Sequence, residues 1–417
     1  VNRYLLLLAL ATSLACAAEP LPVLDVPPGA RFINGTGQLP LLGHTFKAPG
    51  FTCQGYIEIC EAAGPQVWFI GWNNSEAPLT MRLAYKTAIT GTPARVTFAV
   101  RNRQLGLTNA PEETVVAPGQ FYTTDPVALS VKAKTKLYLR SHVKLDKDLQ
   151  IGCGGFAPFN DPRPDGRWSW GVYTGADDRT LDPDLETQWK PNFEGLFVPF
   201  LMVGENVNPK ARFVVALGDS LTFQNGPDEG GVWFQRAFPD VPHCNTAIGG
   251  DALSNVVSPE GEIKDKVNRA RFAVLQHATD VINFYGHNDL GNGVTAEALL
   301  HLDAKVCARP EIAKARKWRC TLTPFTHNKP GVDVAQLTEA DQTPDKTSPV
   351  IIAYNKEIRA QFKKYGYDGI IDVGSVLATG PDSLYWKPGM AGDGTHFGRA
   401  PAGDLIVPEA RKILTSP

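Results

Sequence analysis

The sequence predicts two units in series, an all-β sandwich followed by an α/β unit whose parallel sheet carries helices on both faces. Two patterns predict this. Up to about Gly204, apolar and polar residues alternate with period two between Gly, Pro, Asn and Asp, as in antiparallel sheets with one buried face. From Phe213 onward, continuous apolar runs alternate with segments apolar at helical spacing. A third observation orients the second unit. The run Phe213-Val214-Val215-Ala216-Leu217 stops at Gly218-Asp219-Ser220, which places a serine at the C-terminal edge of the sheet, where such folds hold ligands.

The chain begins with Arg3, the apolar run 5–10 and small residues at Ala15, Ala17 and Ala18. Residues 1–18 therefore read as a secretory signal peptide, and export to the periplasm or the cell exterior is expected. Cys16 offers a lipoprotein anchor as an alternative, although Ser13-Leu14-Ala15-Cys16 lacks the usual leucine three residues before the cysteine. No later stretch approaches the ~20 apolar residues of a membrane helix. Of seven cysteines, six remain after removal of the leader. An even number in an exported chain suggests disulfides, with Cys53–Cys60 and Cys307–Cys320 as local pairs. Cys153 and Cys244 are then a cross-domain link or free thiols. No cysteine spacing matches a zinc site.

Residues 19–205 form the predicted β unit. Strand-like alternation is clearest at 94–100, 127–132 and 136–140, and several short strands imply a sandwich of jelly-roll type. Trp168 and Trp170, with Trp189 further on, offer an aromatic platform for a sugar or acyl chain, or simply core packing. Asp177, Asp178, Asp182, Asp184 and Glu186 lack calcium-loop spacing and read as a solvated acidic loop.

Residues 206–212 read as a connector into the second unit, 206–417. Strands are predicted at 213–217, 279–285, 319–323 and 369–373. Helices are predicted at 231–238, 263–278, 295–306, 349–364 and 402–414. The 41 basic and 43 acidic residues leave a net charge of −2 and form no long run of one sign. Nothing points to nucleic acid or an anionic membrane surface. Hydrophobic content of 43% is ample for a large core.

Three further clusters fall at predicted strand ends. In Cys244-Asn245-Thr246-Ala247-Ile248-Gly249-Gly250-Asp251, the glycines let backbone approach a bound group, and a bare N–H there can donate to an oxyanion. Gly286-His287-Asn288-Asp289 ends an apolar strand and projects Asn288, whose side-chain N–H groups suit an oxyanion without adding charge. Asp393-Gly394-Thr395-His396 supplies a base and a carboxylate within one loop. A serine nucleophile needs a base that titrates near neutrality, and the imidazole needs a carboxylate to fix its tautomer. Taken singly, each cluster also reads as a turn or a helix cap.

In this order the clusters resemble the SGNH hydrolase superfamily, also called GDSL esterases/lipases. Gly218-Asp219-Ser220-Leu221 matches the first motif, Gly250 before Asp251 the second, Gly286-His287-Asn288-Asp289 the third and Asp393 to His396 the last. The resemblance covers residues ~211–417 and implies a flavodoxin-like three-layer α/β/α fold that hydrolyses carboxylic esters. It implies Ser220 as nucleophile, His396 as general base and acid, and Asp393 as its partner. The oxyanion hole is then the N–H groups of Ser220 and Gly250 with the Asn288 side chain. Asp219, Asn245 and Asp289 brace these loops. His287 stands where many members have glycine. Asp219, His287, Trp168 and Trp170 are the weaker candidates for substrate contact. No metal or organic cofactor is implied.

The substrate expected from export and an aromatic platform is an O-acetyl ester on carbohydrate, with acetylated polysaccharide as partner. A broad short-chain carboxylesterase, arylesterase or lysophospholipase is the alternative, and a carbohydrate-binding module with an inactive hydrolase unit is the reading from another class. Nothing in the sequence sets the oligomeric state.

Overall fold

The computed structural model describes all residues except 1–19, 36, 40, 105–110, 154–170, 184, 186–196, 224–232 and 417. The expected leader with Cys16, the tryptophans Trp168, Trp170 and Trp189, and the acidic Asp184 and Glu186 lie outside the described residues.

The C-terminal part is built on a six-stranded sheet. Its strands are β1 (Gly37–Gln38), β2 (Val214–Gly218), β3 (His243–Asn245), β4 (Asp280–Phe284), β5 (Arg316–Cys320) and β6 (Gly369–Ile371), in the order β1-β3-β2-β4-β5-β6. All neighbours run parallel. Without β1 this is the doubly wound order 2-1-3-4-5, whose switch point lies between β2 and β4. Every residue of β2 and β4 is buried, which is why β2 reads as an unbroken apolar run, while β4 buries Asp280 and Asn283 among its apolar residues.

Helices follow the strands: α1 (Ser220–Phe223), α2 (Trp233–Ala237), α3 (Leu253–Val256), α4 (Lys266–Leu275), α5 (His287–Gly291), α6 (Ala296–Cys307), α7 (Ser348–Gln361), α8 (Val373–Leu377) and α9 (Arg399–Thr415). Side chains fix several starts. Asp265 accepts from the N–H of Asn268 at the head of α4, and Thr295 from that of Ala298 at the head of α6. Among the described residues, no helix is long and apolar enough to cross a membrane. Strand β5 lies three residues earlier than its predicted position, and β1 and β3 were not predicted.

Among the described residues, the preceding part forms two large antiparallel sheets and a two-stranded antiparallel pair, Leu42–Phe46 with Leu149–Cys153. One of the large sheets joins Arg31–Phe32, Leu201–Gly204, Gln66–Trp72, Val127–Ala128 and Phe121–Thr123. The other joins Gly171–Thr174, Gly50–Glu58, Lys136–Lys144, Leu79–Lys86, Ala94–Val96 and Thr114–Val116. Val67, Phe69 and Met202 of the first sheet share an apolar cluster with Phe51, Ile57, Leu83 and Leu139 of the second. Its opposite face, Trp68, Ile70, Trp72, Leu201 and Val203, joins the core of the parallel sheet. The first sheet is therefore covered on both sides. The strand predicted at 94–100 stops at Val96. The Asp125 carboxylate accepts from Thr97 Oγ1 (3.0 Å) and the Val100 N–H (3.2 Å), and a helix, Ala99–Gln104, begins there instead.

The expected disulfides are absent. Cys53, Cys60, Cys244, Cys307 and Cys320 are buried free thiols, and the Cys153 side chain lies outside the described residues. Cys53 sits inside Gly50–Glu58, so Cys60 is seven extended residues away, roughly 20 Å. The Cys53 Sγ meets Ser141 Oγ and the Phe197 carbonyl, each at 3.2 Å, while Cys60 Sγ meets the Pro239 carbonyl at 3.4 Å. Cys307 ends α6, whereas Cys320 closes β5, an inner strand between β4 and β6. Proximity in sequence does not bring either pair together.

Candidate active site

Strand β2 ends at Gly218, where a Cβ would stand 2.2 Å from Thr222 Oγ1, so only glycine lets α1 fold back so tightly. Asp219 then organises the turn. Its Oδ1 accepts from the Leu221 N–H (2.9 Å), and its carbonyl from those of Thr222 (3.1 Å) and Phe223 (2.9 Å). The Ser220 N–H meets no acceptor among the described residues.

The glycine loop is tied to this turn by the Ile248 N–H, which donates to the Gly218 carbonyl at 3.0 Å. Gly250 has φ +75°, its N–H meets no acceptor among the described residues, and no atom lies within 4 Å of where a Cβ would stand. Asn245 braces the loop from below. Its Nδ2 donates to the Thr222 carbonyl (2.9 Å) and its Oδ1 accepts from the Ala247 N–H (3.0 Å).

At the end of β4, Asn288 Nδ2 donates to the Asp251 carbonyl at 2.7 Å, which leaves its second N–H available. Its neighbour Asp289 is buried. The Asp289 carboxylate accepts from the N–H groups of Leu253 (2.8 Å) and Ser254 (2.9 Å), so it caps α3 and anchors the segment after Gly250.

The loop before α9 brings the base. His396 Nε2 lies 2.9 Å from Ser220 Oγ, and His396 Nδ1 lies 2.8 Å from Asp393 Oδ2. Asp393 Oδ1 also accepts from the N–H groups of Thr395 (2.8 Å) and His396 (2.7 Å). Partial burial works to raise the Asp393 pKa. The imidazole and the two backbone donors prevail and hold the carboxyl below its ordinary range. The loop is pinned at Gly394, whose carbonyl accepts from the Thr326 N–H and from Trp386 Nε1, each at 2.9 Å.

Ser220, Gly250, Asn288, Asp393 and His396, far apart in sequence, thus converge on one rim. Asp219 and His287 do not reach it as substrate contacts. Asp219 is 0% exposed, and its Oδ2 has no hydrogen-bond partner among the described residues. Burial pushes its carboxyl up to about 7, with the Asp289 and Asp251 carboxylates adding to the rise. His287 is 5% exposed, and its Nε2 lies 2.9 Å from the Thr323 carbonyl and 3.0 Å from Thr323 Oγ1. Burial drives its pKa down to about 4, so the ring is neutral at pH 7. Among the described residues, no group of three or more His, Cys, Asp or Glu side chains could hold a metal. Trp386 and the Thr326–Asn328 strand were missed in the sequence, because they act through chain folded back from elsewhere.

No family model matches the sequence, and no curated protein matches it. Solved structures it resembles include GDSL and SGNH hydrolases. A GDSL-like lipase from Bacteroides thetaiotaomicron is 13% identical, with 49% of this chain and 87% of that one covered and a TM-score of 0.34. A variant of Axe2, an acetyl-xylooligosaccharide esterase from a Geobacillus, is also 13% identical, over 49% of this chain and 95% of the other, with a TM-score of 0.34. TesA is 15% identical, over 49% and 98%, with the same score.

The arrangement itself defines a chemistry. A hydroxyl within proton-transfer reach of an imidazole, where nearby N–H donors meet no acceptor among the described residues, can attack a carbonyl and hold the resulting oxyanion.

Proposed function

We propose that the chain is a serine esterase acting through an acyl-enzyme. Ser220 attacks the ester carbonyl while His396 takes its proton, and Asp393 holds the imidazole in the required tautomer and stabilises the imidazolium. The Ser220 and Gly250 N–H groups and the Asn288 amide receive the oxyanion. His396 then returns the proton to the leaving alcohol, and water repeats the sequence to release the acid. The observation that carries this reading is the relay of 2.9 and 2.8 Å through His396, set beside the Ser220 and Gly250 N–H groups, which meet no acceptor among the described residues.

The preferred substrate is a short acyl ester, an O-acetyl group on carbohydrate, handled by an exported enzyme whose residues 19–205 form a jelly-roll-like accessory domain beside a three-layer hydrolase domain. The His396 and Asp393 side chains are 52% and 57% exposed, an openness that suits a large polar alcohol carrying a small acyl group. A fluorophosphonate probe and turnover of p-nitrophenyl esters from acetate to palmitate, beside acetylated xylan, test the proposal. Labelling at Ser220, with rates falling as the acyl chain lengthens, is expected. Ser220→Ala is expected to lower kcat by roughly 10⁶, and a variant that keeps most of its turnover refutes the assignment.

A further inference from the structure

Behind the turn that carries Asn288 lies a polar cluster that the mechanism above does not use. Arg319 in β5 and Asp303 in α6 are both 0% exposed, and Arg319 Nε stands 3.1 Å from Asp303 Oδ1. Three neutral groups complete the cluster. The Tyr354 hydroxyl accepts from Arg319 Nε (2.7 Å) and donates to Asp303 Oδ2 (2.5 Å). The Tyr367 hydroxyl (2.6 Å) and Asn283 Nδ2 (3.0 Å) donate to Asp303 Oδ1. An ion pair this deep gains little stability over apolar packing of the same volume, so stability alone does not account for it.

The rest of the guanidinium points toward the site. Nη1 donates to the carbonyls of Asn283 (3.0 Å) and Cys320 (2.8 Å), and Nη2 to that of Tyr285 (2.6 Å). The Tyr285 carbonyl belongs to the peptide that enters Gly286, where φ of +129° turns the chain into α5 and toward Asn288. Tyr285 is also held at its other end, where its hydroxyl donates to Asp251 Oδ2 (2.6 Å) and meets Arg271. The Asp251 carbonyl is the group that Asn288 Nδ2 binds. Arg319 thus closes a ring of contacts running through Tyr285 and Asp251 to Asn288.

We propose that Arg319 is a positioning residue for the oxyanion hole, its planar fork fixing the 285–286 peptide and with it the Asn288 amide. This rests on the esterase reading. Lysine keeps the charge and loses the fork. Arg319→Lys is therefore expected to lower kcat on p-nitrophenyl acetate by roughly 10- to 100-fold, the size of effect a ~1 Å misplacement produces. KM should stay within about twofold, because ground-state binding is untouched.

The decisive measurement is a double-mutant cycle with Asn288→Ala. If Arg319 acts through Asn288, its loss costs less than about threefold once that amide is gone. Equal losses in both backgrounds, or an unchanged kcat in folded Arg319→Lys, overturn the inference. Should Arg319→Lys fail to fold, Tyr354→Phe removes the hydroxyl that meets both Arg319 and Asp303. It is expected to lower kcat by about three- to tenfold with the same coupling to Asn288. A wild type that neither reacts with fluorophosphonate nor turns over ester removes the esterase reading and the inference with it, whereas additive losses remove the inference alone.

Discussion

A serine hydroxyl is a weak nucleophile until a neighbouring base takes its proton, and here the neighbour is 176 residues away in the sequence. Ser220 and Asn288 were singled out because each follows a glycine where an apolar strand stops, and Asp393 and His396 because a carboxylate and an imidazole share one short loop. The burial of Asp219 and His287, which fits bracing and packing better than substrate contact, is a tertiary property that their own motifs do not encode. The Asp219 environment has a measurable consequence. Its carboxyl titrates near 7 in the folded chain against 3.8 ordinarily, so the folded state holds a proton that the unfolded state has lost. That contribution to stability is complete below about pH 4 and disappears as the pH rises through about 7. Asp219→Asn keeps an acceptor for the Leu221 N–H and cannot ionise. In urea unfolding, its stability relative to wild type is expected to rise between pH 5 and pH 8. A difference that stays constant with pH would show that Asp219 does not titrate in this range.

At the scale of elements, alternation marked some strands and missed others. Lys136–Lys144 showed through it over 136–140, whereas Leu79–Lys86, whose burial alternates from Leu79 to Leu83 and breaks at Ala84, was not predicted. Gln66–Trp72 escaped the same test because Val67 and Phe69 face one core while Trp68, Ile70 and Trp72 face the other. Strand β2 was recognised by the opposite sign, an unbroken apolar run, whereas β4 carries Asp280 and Asn283 and β5 opens with Arg316-Lys317, and β1 and β3 are too short to carry any pattern. The catalytic loop shows how elements outside the motifs set the site. Gly394 has φ +79°, and a Cβ on it would stand 1.9 Å from the Thr326 carbonyl, in the strand that clamps the loop. Gly394→Ala must therefore move Asp393 and His396 away from Ser220. Turnover is expected to fall roughly 10- to 100-fold, and the strained conformation should cost about 1–2 kcal/mol of stability. Unaltered kcat together with an unaltered melting temperature would mean that the clamp does not position the relay.

The molecule as a whole is held together along the seam between the first antiparallel sheet and the parallel sheet. Phe32 stacks on Phe213 with centroids 4.0 Å apart, and Asn34 bridges the two parts. Its Nδ2 donates to the Phe200 carbonyl (3.0 Å), while its own carbonyl accepts the His243 N–H (3.0 Å). His243, in β3, is 1% exposed and lies against Phe234 and Phe238, with its Nδ1 2.9 Å from the Val241 carbonyl. Burial lowers its pKa to about 4, and that of His287 equally. The unfolded chain therefore takes up these protons first. Stability from each neutral ring is complete above about pH 6.5 and is lost as the pH falls toward 4, by about 2 kcal/mol per histidine between pH 7 and pH 5. Asp219 works in the other direction over the same range, so the two histidines outweigh it. His243→Phe keeps an aromatic ring in the seam and cannot be protonated. Its urea midpoint should lose less than that of wild type between pH 7 and pH 5, by an amount equivalent to roughly 1–2 kcal/mol. The same loss in both proteins would show that acid acts elsewhere than at this joint.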